Sequence, residues 1–213
     1  MMKDLFNWRE NERTRLVDRY LTQLQNCLSG FIYYDPPLQV LDAKVFDPAL
    51  RKYGWDWPSV AYTMIVETHL ASVRMLSKMI LEAGVPRDFT VTGVLRGGAS
   101  IMMRRVLDAW SEVTKNVLLA DSFEGLPPPD EDKYPADKGD KFYTYSELSV
   151  SMEQVQANFR KYGLLDDRVK FFKGWFKDTL SSALLKTSFI TLRRRYVRIH
   201  YGCASGFVRQ SLR

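Results

Sequence analysis

Residues 89–100 read FTVTGVLRGGAS, and this stretch with its flanks decides the architecture. Its first half is rich in β-branched and aromatic residues, which favour a strand over 89–94. Glycines at 93, 97 and 98 then open a turn, and the residues after them predict a helix running to Trp110. Glycine lets the backbone turn tightly and approach a ligand closely, and the free N–H groups of a helix start can take a carboxylate or another anionic group. The alternation recurs downstream, with strands expected over NVLLAD (116–121), VKFFKG (169–174) and SFITLR (188–193). A helix opened by Ser151 and Gln154 and closed by Gly163 lies between the second and third. Continuous apolar strands alternating with helices predict an α/β chain, a doubly wound parallel sheet covered on both faces.

Upstream the pattern is helical. Leu16, Tyr20, Leu24 and Leu28 recur at every fourth residue, an amphipathic helix over 12–28 that Gly30 stops. Residues 30–59 are irregular and rich in proline and aromatics, with Asp35-Pro36 and Asp47-Pro48 marking turns. They are too apolar for a linker and are expected to pack on the main domain as a lid, their aromatics serving packing rather than base stacking. Ser59 is expected to open a helix that runs to about Glu82 and ends at Gly84 and Pro86.

Composition excludes several classes of function. A hydrophobic fraction of 46% and a charged fraction of 26% are ordinary for a globular chain. No apolar run approaches the roughly 18 residues of a membrane span, and the charged N-terminus does not read as a secretory signal. Cys27 and Cys203, 176 positions apart, offer no disulfide framework, so a reducing, cytoplasmic setting is expected. The net charge of +6 comes entirely from six arginines at 193, 194, 195, 198, 209 and 213; the rest of the chain balances 25 basic against 25 acidic residues. A nucleic-acid partner is therefore not expected, because such a domain carries its positive patch on the folded body.

Asp121 closes the second strand 23 residues after Gly98, near the separation of about 20 at which an acid takes ribose hydroxyls. A helix cap or a solvated strand end is the alternative. The glycine spacing is not G-x-G-x-x-G and no P-loop lysine follows, so a nucleoside cofactor without an obligatory phosphate grip fits better than NAD or ATP. The long polar loop 122–148 has the length of a functional segment. Its acids Glu131, Asp132, Asp137 and Asp140 read as a solvated loop rather than a metal site, and His69 as a surface or core histidine rather than a base.

The runs DPPLQVLDAKVFDPALR, DWPS, GVLRGGAS, ADSFEGLPPPDEDKYPADKGD, ANFRKYGLLDD and GWFKDTL resemble the macrocin O-methyltransferase family, nearly without gaps from about residue 19 to 185. The resemblance implies a Rossmann-like class I methyltransferase that uses S-adenosylmethionine and magnesium to methylate hydroxyls of glycosylated natural products, with self-association left open. It implies cofactor contacts from Gly93, Arg96, Gly97 and Gly98 beside the methionine part, from Asp121 and Ser122 at the ribose, and from Gly174 and Trp175 at the adenine. Thr63, in the helix after DWPS, is implied as a further cofactor-side contact, and Tyr33 and Tyr34 as substrate-side residues. Val91 departs from the family, which usually has glutamate there, and Leu95 stands where the family has tryptophan. The domain division expected is a helical and lid region over 1–86, a partial cofactor-binding domain over 87–192, and an aberrant tail over 193–213.

That tail, RRYVRIHYGCASGFVRQSLR from Arg194, has no acid, no helical period and no strand alternation. Read one base later, permitted codons for Arg194 to Ala204 yield Gly-Asp-Met-Tyr-Glu-Ser-Thr-Met-Asp-Ala-Leu, which matches the family pattern at that place. A slipped reading frame near Arg193 is the expectation. The family's magnesium ligands and catalytic base are aspartates of that turn and of a later pair, so no catalytic or metal-binding residue is expected here, and the later strands of the sheet are expected to be missing. A non-catalytic product with residual cofactor binding is the alternative description of the same chain.

Overall fold

The computed structural model describes residues 2–38, 44–176, 178–179 and 187–189. The chain divides into two compact units, a helical one formed by 1–85 with 98–115 and a sheet one formed by 86–97 with 116–213.

In the helical unit, α1 (Met2–Ser29) is longer than the periodicity predicted. Leu21, Leu24 and Leu28 are buried, whereas Leu16 and Tyr20 are exposed, so the core-facing stripe begins a turn later than expected. Gly30 at φ 81° ends the helix with donors turned back on the last turn, Gly30 N–H to the Cys27 carbonyl and Phe31 N–H to that of Asn26. α2 (Pro48–Tyr53) is capped by the Asp47 carboxylate, which accepts from the amides of Ala49 and Leu50. The next helix, α3 (Glu67–Glu82), starts eight residues later than Ser59. The reason lies in where the donors of 59–62 go. Ser59 N–H reaches the Pro36 carbonyl, Val60 and Ala61 N–H reach the Asp35 carboxylate, and Tyr62 N–H reaches the Leu28 carbonyl. With those bonds made to tertiary partners, 59–62 stays a non-helical strap. α4 (Gly98–Ala109) is buried along most of its length, and α1 and α3 pack against it. Its buried Arg104 pairs with Asp108 one turn on.

The sheet unit has four parallel strands in the order β3-β2-β1-β4, with β1 Asp88–Thr92, β2 Val117–Asp121, β3 Val169–Lys173 and β4 Thr187–Phe189. Phe89, Thr90 and Val91 are consecutive and all buried, as a strand covered on both faces requires. α5 (Met152–Lys161) is capped by the Ser151 hydroxyl, which accepts from the Gln154 amide, and Gly163 closes it at φ 64°. Its Phe159 meets Phe171 of β3 edge to face at 6.3 Å. The α/β class with a parallel sheet is as the sequence indicated. Residues 190–193 of the fourth expected strand, and the tail 193–213 with His200, lie outside the described residues. Strand order reverses between β1 and β4, so the crevice at the carboxyl ends of the strands is where such folds take ligands.

A β-carbon on Gly30 would sit 2.7 Å from both Arg51 Nη1 and Asp35 Cβ. Gly30→Ala combines that clash with a left-handed backbone and is expected to cost about 2–5 kcal/mol in urea unfolding.

Candidate functional site

In the sheet unit the carboxyl ends of β1, β2 and β3 are bound together through Asp121. Its carboxylate accepts the Val94 N–H at 2.5 Å and the Phe123 N–H at 2.9 Å, and its backbone carbonyl accepts the Gly174 N–H at 2.9 Å. The loop it holds carries Gly93 at φ 74°, Leu95 at φ 50° and Gly97 at φ 88°. Leu95 is the only one of these three with a β-carbon, and its left-handed backbone stores strain of about 1–2 kcal/mol. The Ser122 hydroxyl donates to the Gly125 carbonyl at 3.0 Å and accepts from Glu124 N–H, making a tight turn after β2. Gly174 has φ 143°, and a β-carbon there would lie 2.8 Å from Thr179 Cγ2. Trp175 follows, 42% exposed, while its carbonyl accepts the amides of Asp178 and Thr179. Gly93, Arg96, Gly97, Asp121, Ser122, Gly174 and Trp175 thus lie at or just after the carboxyl ends of the neighbouring strands β1, β2 and β3.

Asn158 on α5, which sequence reasoning passed over, is 7% exposed and donates from its side-chain amide to the Arg96 carbonyl at 3.0 Å. Val155 and Phe159 of the same helix stand where a β-carbon on Gly97 would go, at 3.1 and 3.4 Å. The signal was the run ANFRKYGLLDD itself, which carries the resemblance but suggests no role for its asparagine.

In the helical unit, Gly98 N–H donates to the Tyr62 carbonyl at 2.9 Å. A β-carbon on Gly98 would be 2.5 Å from that oxygen and 2.7 Å from Thr63 Cβ, so glycine is required by close approach. Thr63 is 5% exposed and its hydroxyl accepts the Ile65 N–H, in the strap rather than in a helix. Tyr33 and Tyr34 lie in the turn after α1, Tyr34 with φ 48° and its ring edge-on to Phe46 at 5.4 Å. Tyr33 donates its hydroxyl proton to the Cys27 carbonyl at 3.2 Å. Burial, then the Asp35 charge, push its pKa up to about 12, so it is a neutral phenol and a donor rather than a base.

Asp121 fits a ribose. A carboxylate offers about four lone-pair directions, and the two amide bonds leave acceptor capacity for hydroxyls. Gly93, with nothing within 4 Å of where its β-carbon would sit, leaves the loop backbone open to close approach, whereas the space beside Gly97 is filled by α5. Among the described residues no three His, Cys, Asp or Glu side chains come together. The acids of the long loop serve its backbone, Glu131 accepting from Gly139 N–H and Asp140 from Phe142 N–H. His69 is half-buried in the first turn of α3.

Two outcomes follow from these contacts. Asp121→Ala strands the amides of Val94 and Phe123 and is expected to lower unfolding free energy by about 1–3 kcal/mol in chemical denaturation. A tyrosine whose folded pKa is raised contributes stability below its ordinary value near 10, and that contribution is lost as pH rises towards about 12. Tyr33→Phe is therefore expected to flatten the stability profile between pH 10 and 12, followed by circular dichroism.

The family model for macrocin-O-methyltransferase (TylF) matches residues 5–194. A tetracenomycin-type enzyme of Streptomyces olivaceus, 8-demethyl-8-(2,3-dimethoxy-alpha-L-rhamnosyl)-tetracenomycin-C 4'-O-methyltransferase, is 44% identical over 78% of this chain and 64% of its own length. Mycinamicin III 3''-O-methyltransferase of Micromonospora griseorubida is 40% identical over 78% of this chain and 68% of its own. The solved structure of the O-methyltransferase NovP matches with a TM-score of 0.74 at 40% identity, over 78% of this chain and 68% of that one. The chain thus spans about two thirds of the length of the relatives it matches. On the extent of the family match and the level of identity, the chain belongs to the macrocin O-methyltransferase family.

Proposed function

We propose that this chain is the donor-binding portion of an S-adenosylmethionine-dependent O-methyltransferase whose acceptor is a hydroxyl of a glycosylated natural product. The observation that carries the proposal is the Asp121 carboxylate, held at the end of β2 against the open glycine loop after β1. Asp121 and Ser122 take the ribose side, Gly93, Arg96, Gly97, Gly98 and Thr63 the methionine side, and Gly174 with Trp175 the adenine side. Bound S-adenosylmethionine supplies an electrophilic methyl on a sulfonium, with a neutral thioether as leaving group. Transfer then needs positioning and the removal of the hydroxyl proton, and the residues named here supply the first. Tyr33 and Tyr34 are assigned to the acceptor side, where Tyr33 serves as a donor. Val91 is 1% exposed, and the glutamate that stands there in the family would need a bound cation as partner.

The division into a helical and lid region over 1–86, a donor-binding domain over 87–192 and an out-of-frame tail over 193–213 is part of the proposal. The family match ends at residue 194, which supports a boundary there. Residues 179–213 hold no acidic side chain, so the aspartates of the turn that the resemblance expects there have no counterpart in the tail.

Calorimetry with S-adenosylhomocysteine is expected to show one site per chain, while methyl transfer to a glycosylated acceptor with magnesium stays at background. Restoring the frame at codon 194 is expected to raise transfer by at least about a thousandfold, the scale of lost base and metal catalysis together. Turnover by the unaltered chain, or gene codons that cannot encode the family pattern in the neighbouring frame, would sink the proposal.

A further inference from the structure

The carboxylate of Asp35 is fully buried, and neither the fold class nor the donor reading requires a charge there. It lies between two sets of donors. Arg51, 4% exposed, donates from Nη2 to the Asp35 backbone carbonyl at 2.6 Å and from Nη1 to the Ser29 carbonyl at 2.8 Å, while its Nε faces the Asp56 carboxylate. On the other side the Asp35 carboxylate accepts the Ser59 hydroxyl at 2.6 Å and the amides of Val60 and Ala61 at 3.0 and 2.7 Å. Immediately after Ala61 come Tyr62, whose carbonyl takes the Gly98 N–H, and Thr63, whose Cβ lies against Gly98.

We propose that Asp35 is a positioning residue for the donor site: it holds the strap 59–63 so that the Tyr62 carbonyl and Thr63 are seated on the first turn of α4. Two facts favour this over a merely structural anchor. The three donors taken by Asp35 come from consecutive residues of the strap, so the carboxylate fixes the backbone direction of that segment and not only its position. The strap in turn reaches Gly98 through an approach too close for any other residue, so a small shift at 60–61 is felt at the start of α4. The inference rests on the donor-site reading of Thr63 and Gly98.

The test uses the full chain, its Asp35→Ala, Asp35→Asn and Ser59→Ala variants, calorimetry with S-adenosylhomocysteine, and amide exchange of Gly98 in protein labelled with ¹⁵N-glycine. Asp35→Ala is expected to weaken binding and to speed Gly98 exchange, each by at least about tenfold, because the strap amides lose their acceptor. Asp35→Asn keeps the shape and one acceptor oxygen, and is expected to restore both to within about threefold of the parent. Should Asp35→Ala fail to fold, Ser59→Ala removes one of the three bonds and is expected to move both readouts by about threefold in a folded protein. Parent-like affinity in Asp35→Ala or Ser59→Ala, or weaker binding with Gly98 exchange unchanged, overturns the inference alone. A parent chain that binds no S-adenosylhomocysteine overturns the donor reading and the inference with it.

Discussion

Arg51 is 4% exposed and permanently charged, and a charge taken this far out of water is tolerated only where every donor finds an acceptor. Its guanidinium meets the Asp56 carboxylate and two main-chain carbonyls, from the end of α1 and from Asp35. The face of the group also lies 5.2 Å from the Phe46 ring centroid. One side chain on a six-residue helix thus ties together the end of α1, the turn after it and the segment at Asp56 that leads into the strap. Such a fully satisfied polar knot confers direction more than stability, since an apolar replacement could fill the space but could not fix the course of three segments. The required glycine at position 30 is a consequence, because the guanidinium occupies the space a side chain would use.

The sheet unit is organised on the same principle with one acid instead of a base. Asp121 ends β2, yet its two carboxylate oxygens reach a residue of the loop after β1 and a residue of its own turn, and its carbonyl reaches the segment after β3. A strand end that would otherwise be solvated becomes the point where three loops agree on a geometry. The alternatives weighed for this residue, a cap and a ligand-binding acid, are therefore not exclusive: the bonds that cap the loops also aim the remaining lone pairs.

Much of this was legible in the sequence. Strand, glycine turn and helix over 88–110 could be read because Gly93 and Gly97 sit where the backbone takes positive φ and the strand is rich in β-branched and aromatic residues, both of which are local properties. The cap of α5 at Ser151 and its stop at Gly163 are local in the same way. The strap was misread for a non-local reason: the acceptors that draw 59–62 out of helical geometry are Asp35, Pro36 and Leu28, more than twenty residues away, and propensity carries no trace of them. Asn158 was missed because its partner is a backbone carbonyl, a group every residue has. The stripe of α1 was placed a turn too early because Leu16 and Tyr20 keep the period but not the burial.

The boundary between the two units falls within the bond joining Gly97 to Gly98, and the chain returns to the sheet unit only at Asn116. Emerging from the ribosome, β1 therefore has no strand to pair with until the whole of α4 has been made, and the helical unit is likewise incomplete until the same eighteen residues appear. Neither unit can finish before the other has begun. Folding during synthesis therefore passes through a state in which β1 and its glycine loop wait unpaired.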